Sequence, residues 1–204
     1  MALNSAPPNL EPRELGLGQA LKSFPGESLC GDQCGWWLQP NRLRLALADG
    51  LGHGPEAHKA AEAVIHQIAT TPGQGLPETF ADCDRALIGT RGVALSVVDV
   101  PFGTEAILHA AVGNIRTLLL QDGHIRRLGG ARGIVGAGYS GLHPERFSLR
   151  PGDWLVIFSD GIPEDADIAA SLIENRPSNA LAEQLLVQWA SDRDDAGILI
   201  YQHE

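Results

Sequence analysis

Two aspartates stand at the ends of apolar segments, and each is followed by glycine. The first is Asp49 in LALADGLGHG, and the second is Asp160 in WLVIFSDG. Two other places carry acidic residues in similar surroundings: Asp32 in CGDQCG lies between two predicted strands, and the pair Asp194-Asp195 comes just before the last apolar segment. The sequence therefore has four acidic positions at the predicted ends of strands.

Carboxylates that meet at the ends of buried strands repel one another and lose hydration, so they need protons or cations to neutralise them. Oxygen ligands suit hard divalent cations such as Mg²⁺ or Mn²⁺. A glycine after the aspartate leaves room for water and lets a backbone carbonyl approach a metal. The alternative for any single Asp-Gly pair is an ordinary turn, which is what we predict for Asp122-Gly123.

The elements that must position Asp49 follow from periodicity. Alternating Arg and Leu from residue 42 to residue 48 predict a strand with one buried face. After the glycines, Gly54 and Pro55 suit the start of a helix, and apolar residues then recur at helical spacing. The predicted inward face of this helix consists of Ala57, Ala60, Ala61, Val64, Ile65 and Ile68.

The rest of the chain is predicted to be rich in strands, with two pairs of helices inserted between them. We predict an antiparallel meander through residues 93–128, a second helix over residues 76–88, and a further helix capped by Ser178. The remaining predicted strands cover residues 15–24, 35–39, 147–149, 154–158 and 198–201. This order of elements indicates an α+β fold rather than strict strand-helix alternation.

Composition narrows the class of protein. The 204 residues suffice for one domain, and the net charge of -10 argues against binding to nucleic acid. Residues 1–12 lack the features of a secretory signal, and no apolar stretch approaches the roughly 18 residues of a membrane span, so we expect no membrane association and a cytoplasmic location. Cys30, Cys34 and Cys83 are expected to be buried free thiols.

Taken together, the motifs resemble a known family. The order GDQCG, LALADGLGHGPEAHKAAEAV, VGNIRTLLL, PGDWLVIFSDGI and DRDDAGILI is similar to that of the metal-dependent phosphatases of the protein phosphatase 2C superfamily. Within it, the chain resembles the compact bacterial SpoIIE-type branch and its RsbX-like group. The resemblance implies a lead-in over residues 1–13 and a single phosphatase domain over residues 14–204, built as two antiparallel sheets packed face to face and flanked by helices.

The resemblance also implies a site. Two Mn²⁺ or Mg²⁺ ions are expected at one end of the sandwich, and they activate a water molecule for attack on a phosphoester. Motif by motif, the implied metal ligands are Asp32, Asp49 as the bridging carboxylate, the carbonyl of Gly50, Asp160 and Asp194. The adjacent Asp195 is the alternative to Asp194.

Other residues near these motifs have open roles. His53 is either a general acid for the leaving alkoxide or a ring that holds its loop by a hydrogen bond. Asn114 is expected to have a structural hydrogen bond. The glycine-rich residues 129–141 form either a plain connection between strands or a loop beside the metals, with Arg132 touching phosphate or a partner. Gly197 stands where the family usually has Thr or Ser, which could weaken support for Asp194.

The function implied by the resemblance is hydrolysis of phosphoserine or phosphothreonine on a bacterial regulatory protein. The expected partner is a phosphorylated antagonist or scaffold of a partner-switching system in a stress response. Two alternatives remain open from the residues alone. One is a non-catalytic binding module with the same fold, and the other is a phosphatase of small phosphoesters.

Overall fold

The computed structural model describes residues 15–204. The predicted lead-in over residues 1–13 lies outside the described residues, so the boundary between lead-in and domain stays a prediction. Within residues 15–204, no helix is both long enough and apolar enough to cross a membrane.

The described residues form twelve strands and four helices. The strands are β1 (Leu17–Lys22), β2 (Asp32–Gln39), β3 (Arg42–Gly50), β4 (Val93–Pro101), β5 (Ala106–Val112), β6 (Arg116–Gln121), β7 (His124–Leu128), β8 (Arg132–Ile134), β9 (Gly138–Ser140), β10 (Glu145–Ser148), β11 (Trp154–Phe158) and β12 (Ala196–Gln202). The helices are α1 (Pro55–Thr70), α2 (Leu76–Ala86), α3 (Ile168–Leu172) and α4 (Asn179–Trp189).

Two antiparallel sheets form a sandwich. The first sheet has the strand order β1-β12-β11-β6-β7, and the second has the order β10-β5-β4-β3-β2. Apolar side chains from both sheets, such as Leu45 of β3 and Leu155 of β11, form the core between them. The helices α1 and α2 pack on the outer face of the second sheet, and α3 and α4 on that of the first. The predicted α+β sandwich is therefore confirmed.

Helix α1 confirms the prediction from apolar spacing. All six residues predicted to face inward are buried, and they pack against the outer face of the second sheet. Gly54 precedes the helix with a φ of 76°, a conformation that glycine adopts without steric cost. The helix therefore starts where the glycine-rich stretch ends and holds its first turn against the end of β3.

Strand β3 corrects the prediction of a half-exposed strand. Both of its faces are buried, and Arg44 is completely buried. The Arg44 guanidinium donates to Asp99 through Nε to Oδ1 at 2.6 Å and through Nη2 to Oδ2 at 2.8 Å. It also donates to Thr79 Oγ1 at 2.9 Å and to the Gln74 carbonyl at 2.8 Å. The alternation of Arg and Leu therefore reflects a buried ion pair under α2 rather than an exposed face.

The middle of the chain also differs from a single meander. The strand β5 lies in the second sheet, whereas β6 lies in the first, so the chain crosses between sheets at residues 113–115. The β6-β7 hairpin is as predicted, with Asp122 and Gly123 at φ of 48° and 76° in its two-residue turn. The three cysteines are free and buried, as expected.

Candidate active site

Asp32 and Asp49 lie directly opposite each other at one end of the second sheet, because β2 pairs with β3 in that register. Asp32 is buried, and its Oδ2 accepts a 2.5 Å hydrogen bond from Ser159 Oγ. Ser159 belongs to the segment after β11 in the first sheet, so this bond ties the two sheets together at the site. The backbone N–H of Gly197 in turn donates to Ser159 Oγ at 2.9 Å.

A cavity of about 420 Å³ opens at the same end of the sandwich. Asp49 lines it from the second sheet, and Asp160 and Asp194 line it from the segments after β11 and before β12. Asn114 also lines the cavity, and its Nδ2 donates to Asp160 Oδ2 at 2.7 Å. The expected hydrogen-bonding role of Asn114 is therefore to hold Asp160 in position. Three of the four predicted acidic positions thus line one cavity. The fourth, Asp32, does not line it but lies opposite Asp49 in the pairing of β2 with β3.

The electrostatics of this group are unfavourable without a cation. Burial raises the pKa of Asp32 and of Asp49 well above the usual range, and repulsion from the neighbouring carboxylates raises both further. Burial also raises the pKa of Asp194. In the part of the chain that the structure describes, neither lysine nor arginine forms a salt bridge with Asp32, Asp49, Asp160 or Asp194. The donor set therefore fits hard divalent cations, which supply the missing positive charge.

Asp195 has a different environment from Asp194. It is buried, its Oδ1 accepts from the Phe24 backbone N–H at 2.9 Å, and its Oδ2 has no hydrogen-bond partner among the described residues. Asp194 faces the cavity and is the better placed ligand, whereas the unpartnered oxygen keeps Asp195 as the alternative. Among residues 15–204, no three Asp, Glu, His or Cys side chains are already grouped as a metal cluster, so the ligand set stays a prediction.

The glycines after Asp49 and Asp160 permit close contacts with backbone. A Cβ on Gly50 would overlap the carbonyl of Ala57 in the first turn of α1, and a Cβ on Gly161 would overlap the carbonyl of Asp195. The two Asp-Gly steps therefore have a common reason: each brings a neighbouring segment against the end of a strand. The role of the Gly50 carbonyl as a metal ligand stays a prediction.

His53 does not line the cavity, although it directly follows Leu51 and Gly52, which do. Its ring stacks on Phe24, with centroids 4.3 Å apart, and its Nδ1 lies 3.2 Å from Glu27 Oε1. These contacts match the role of holding the loop, because they join residues 51–54 to the segment between β1 and β2. The role of His53 as general acid stays a prediction.

The glycine-rich residues 129–141 are part of the cavity wall rather than a plain connection. They contain the β8-β9 hairpin, which joins the second sheet through bridges from Ala131 to Val112 and from Val135 to Val93. Residues 130–134 line the cavity, and Arg132 is exposed there. Arg132 brings a cationic side chain into the wall of a cavity lined by three carboxylates.

Gly197 lies against Asp32 rather than Asp194. A Cβ at this position would stand 3.2 Å from Asp32 Oδ2. The hydroxyl that contacts Asp32 comes from Ser159 instead. Sequence analysis overlooked Ser159, although its position directly before the second Asp-Gly pair was a usable signal.

Comparison with known proteins gives two matches at the level of sequence. The family model of Stage II sporulation protein E (SpoIIE) matches residues 39–196. The phosphoserine phosphatase RsbX of Bacillus subtilis (strain 168) is 23% identical over 182 residues, which cover 87% of this chain and 89% of RsbX.

Solved structures share the fold. A chain from a structure of the bacterial stressosome, a modular system adapted to control secondary messenger signalling, aligns with a TM-score of 0.86 and 30% identity, covering 91% of this chain and 98% of its own. A crystal structure of RsbX in complex with magnesium aligns with a TM-score of 0.80 and 21% identity, covering 91% of this chain and 94% of its own. The sandwich is the fold of protein phosphatase 2C domains.

Proposed function

Because the chain belongs to the SpoIIE family, we propose that it is a metal-dependent protein serine/threonine phosphatase. Its substrate is a phosphoserine or phosphothreonine on a cytoplasmic regulatory protein, and the reaction is hydrolysis of the phosphate monoester. The relatives support this assignment, since one is a phosphoserine phosphatase and another comes from a stressosome.

The observation that carries the proposal is the group of uncompensated carboxylates at one cavity. Asp49 and Asp160 come from opposite sheets, 111 positions apart in the chain, and yet line one space. Burial and mutual repulsion make such a group costly. Titratable groups that are strongly perturbed in this way are concentrated at functional sites. A site for divalent cations is the function that suits a set of oxygen ligands.

Asp32, Asp49, Asp160 and Asp194, with the Gly50 carbonyl, would hold the proposed pair of Mg²⁺ or Mn²⁺ ions. Bound divalent cations supply Lewis-acid chemistry, because they lower the pKa of water and offset the charge on the phosphoryl oxygens. The chain itself orients these ligands: Ser159 holds Asp32, and Asn114 holds Asp160. In the proposed reaction the nucleophile is water, and the protein supplies none.

The phosphate enters the same cavity beside Arg132. Within residues 15–204 this guanidinium forms no ion pair, so it is available to a phosphoryl oxygen. Its charge complements that of the substrate dianion in an otherwise acidic cavity. The expected regulatory substrate is a phosphorylated antagonist or scaffold of a partner-switching system.

The direct test is hydrolysis of p-nitrophenyl phosphate by the full chain, with Mn²⁺, with Mg²⁺ and with a chelator. We expect turnover that depends on either cation and is lost in the chelator. The second assay compares a phosphoserine protein with free phosphoserine, and we expect strong preference for the protein. Equal rates on the two substrates would support the phosphatase of small phosphoesters.

The non-catalytic module predicts a different pattern. It would give no hydrolysis of any phosphoester with either cation, and calorimetric titration with Mn²⁺ would show no binding. The argument for that module from Gly197 is weaker than the sequence suggested, because Ser159 supplies a hydroxyl to Asp32.

A further inference from the structure

Positive charge is concentrated in one segment of an acidic chain. Residues 116–150 contain six of the fifteen Lys and Arg residues but only two of the twenty-five Asp and Glu residues. The segment is therefore basic, although the net charge of the chain is -10. Its arginines lie mainly on and beside β7 and β10, which are edge strands of the two sheets. Such a patch attracts acidic partners and speeds their association.

The β7 strand has an open edge. It is the last strand of the first sheet, and His124, Ile125, Arg126 and Arg127 are all exposed. A two-residue turn closes on a hydrogen-bonded pair, here Gln121 with His124, and the pairs then alternate along the hairpin. The N–H and C=O groups of Ile125 and Arg127 consequently point away from β6. These groups can pair with an added strand.

The edge of β7 leads to the candidate active site. Its last residue, Leu128, is followed directly by residues 129–134, most of which line the cavity. From Ile125 to Arg132 is seven residues, a span of about 23 Å for extended chain. A substrate segment paired with β7 therefore reaches the cavity within a short extended stretch.

A hollow beside β7 carries the side chains that would select such a segment. It has a volume of about 350 Å³, and Arg126, Arg150 and His124 line it together with Asp122. Asp122 is exposed, and its Oδ2 lies 3.8 Å from Arg150 Nη1, a loose ion pair that a substrate carboxylate can replace. The Arg126 guanidinium lies over the Phe147 ring at 5.1 Å, and within residues 15–204 Arg126 forms no salt bridge. Its charge is held in place by the ring and remains available to a carboxylate.

We propose that the edge of β7, with Arg126 and Arg150, docks an acidic extended segment that flanks the phosphorylated residue of the protein substrate. This surface is called the basic edge below. The segment pairs with the main chain of Ile125 and Arg127, and its carboxylates contact the two arginines. The inference rests on the proposed phosphatase function and adds the chemistry of the substrate around its phosphate.

The test uses two phosphoserine peptides of equal length, one with Glu and Asp around the phosphoserine and one with Gln and Asn at the same positions. We expect the wild-type chain to hydrolyse the acidic peptide with a kcat/KM about tenfold higher at low salt, and this preference to shrink as salt rises. The R126E/R150E variant should lose the preference. Hydrolysis of p-nitrophenyl phosphate, which is too small to reach β7, should change less than about twofold in that variant.

The matched control is K59E/R176E, which makes the same change in net charge. Lys59 and Arg176 are exposed, on α1 and on the segment before α4, and neither lines the hollow beside β7. This control should keep the preference for the acidic peptide. A third variant, Ile125→Pro, removes one outward N–H and should lower kcat/KM for both peptides while leaving p-nitrophenyl phosphate unaffected.

The outcomes separate the inference from the function on which it rests. Equal kcat/KM for the two wild-type peptides, or loss of preference in K59E/R176E as well, would overturn the basic edge. The arginines would then only protect an edge strand from unwanted pairing, as charged side chains often do. Failure of the wild-type chain to hydrolyse p-nitrophenyl phosphate with Mn²⁺ would count instead against the phosphatase function.

Discussion

Strand β3 carries an ionisable side chain near each end, Arg44 fully buried and Asp49 half-buried, and the surroundings of the two differ. Near its start, Arg44 is completely buried and has a bidentate pair with Asp99, together with acceptors from Thr79 and Gln74. At its other end, Asp49 faces Asp32, and among the described residues no cationic side chain pairs with either. The charge of Arg44 is therefore compensated by a side chain of opposite charge, whereas the carboxyls of Asp49 and Asp32 have no such partner. These two ends of β3 are called the compensated end and the uncompensated end.

The difference separates a charge that the chain itself compensates from a group of carboxylates that the proposed function assigns to cations. A buried ion pair with all of its hydrogen bonds made is stable without any ligand, although it adds little net stability over an apolar pair. A buried group of like charges has no such balance and must take up protons or cations. Without metal, the end that carries Asp49 should therefore be the less stable one, and its stability should respond to pH and to divalent cations. The Arg44 end should respond to neither.

The largest effect is expected from removing the charge at the uncompensated end. Asp49→Asn and Asp160→Asn should each lower metal-stimulated hydrolysis of p-nitrophenyl phosphate by at least about 10³-fold, because each removes a carboxylate from the proposed metal site. Circular dichroism should show an intact fold in both.

Asp122→Asn is the matched control, because Asp122 also precedes a glycine but lies in a hairpin turn. It should retain wild-type activity on this substrate. Full activity in the Asp49 and Asp160 variants would remove the metal site from these residues.

Substitutions at the compensated end should lower the free energy of unfolding and leave the hydrolytic activity unchanged. Arg44→Met removes the bidentate partner of Asp99 and leaves it only Arg42, whose Nη1 lies 3.1 Å from Asp99 Oδ2. We therefore expect the free energy of unfolding to fall by about 3 kcal/mol, the low end of the range for a broken buried pair. The double variant R44M/D99L should recover much of this loss, since it removes both charges.

Denaturant unfolding measures the stability of both variants. The activity per folded molecule with Mn²⁺ should stay near wild type in each, since neither residue lines the cavity. A stability loss below about 1 kcal/mol in Arg44→Met would mean that Arg44 contributes no more than an exposed ion pair does and that Arg42 alone suffices for Asp99.

The two ends of β3 also show how much of the fold and of the candidate site the sequence can predict. The meeting of Asp49 and Asp160 at one cavity was predictable, because each ends an apolar segment and is followed by a glycine that permits close backbone contact. The assignment of β3 as a strand was also correct. The burial of Arg44 was not predictable from local pattern, because its partner Asp99 is 55 positions away and alternating Arg and Leu is equally typical of a half-exposed strand.

Other errors have similar causes. The change of sheet between β5 and β6 depends on where later strands pair, which apolar alternation in the segment itself does not encode. Residues 129–141 were ambiguous because glycine favours many conformations, and their order comes from contacts with Val93 and Val112. Long-range contacts thus determined what local patterns left open.

Divalent cations should stabilise the protein, and the size of the effect should depend on Asp49. At 100 times the dissociation constant, Mg²⁺ should add about 2.7 kcal/mol to the free energy of unfolding. Calorimetric melts with Mg²⁺ and with a chelator measure this gain. Asp49→Asn should show much less stabilisation, whereas Arg44→Met should show the full gain on its lower baseline.

The metal-free protein should also lose stability as pH rises. Burial raises the folded-state pKa of Asp49, so above pH of about 4 the folded state keeps protons that the unfolded state has released. Because the folded state binds more protons, stability falls with rising pH. The fall should be smaller in Asp49→Asn, which has no carboxyl to titrate at this position. Parallel curves for the two proteins in chelator would contradict the raised pKa.

The pH dependence that His109 contributes to stability has the opposite sign to that of Asp49, and the two contributions must be separated. Burial lowers its pKa to about 4, so its contribution is lost as pH falls from about 6.5 to about 4, where the unfolded state binds the proton and the folded state does not. His109 is present in both the wild type and Asp49→Asn. The difference between their curves therefore isolates Asp49.

The smallest effect on stability should come from substituting Ser159, whose hydroxyl connects the two sheets at the uncompensated end. Ser159→Ala removes the donor to Asp32 and the acceptor of the Gly197 N–H, at a cost of about 1–2 kcal/mol in unfolding free energy. The lost hydrogen bond also raises the pKa of Asp32 further, since that bond lowers it in the wild type. Protons then compete better with the cation, so the apparent dissociation constant for Mn²⁺ should rise at pH 7 and recover towards the wild-type value at pH 8.5.

Ser96→Ala, which disrupts a buried hydrogen bond to Thr117, should cost similar stability without altering Mn²⁺ affinity. Equal loss of affinity in both variants would assign the effect to general destabilisation and not to the support of Asp32.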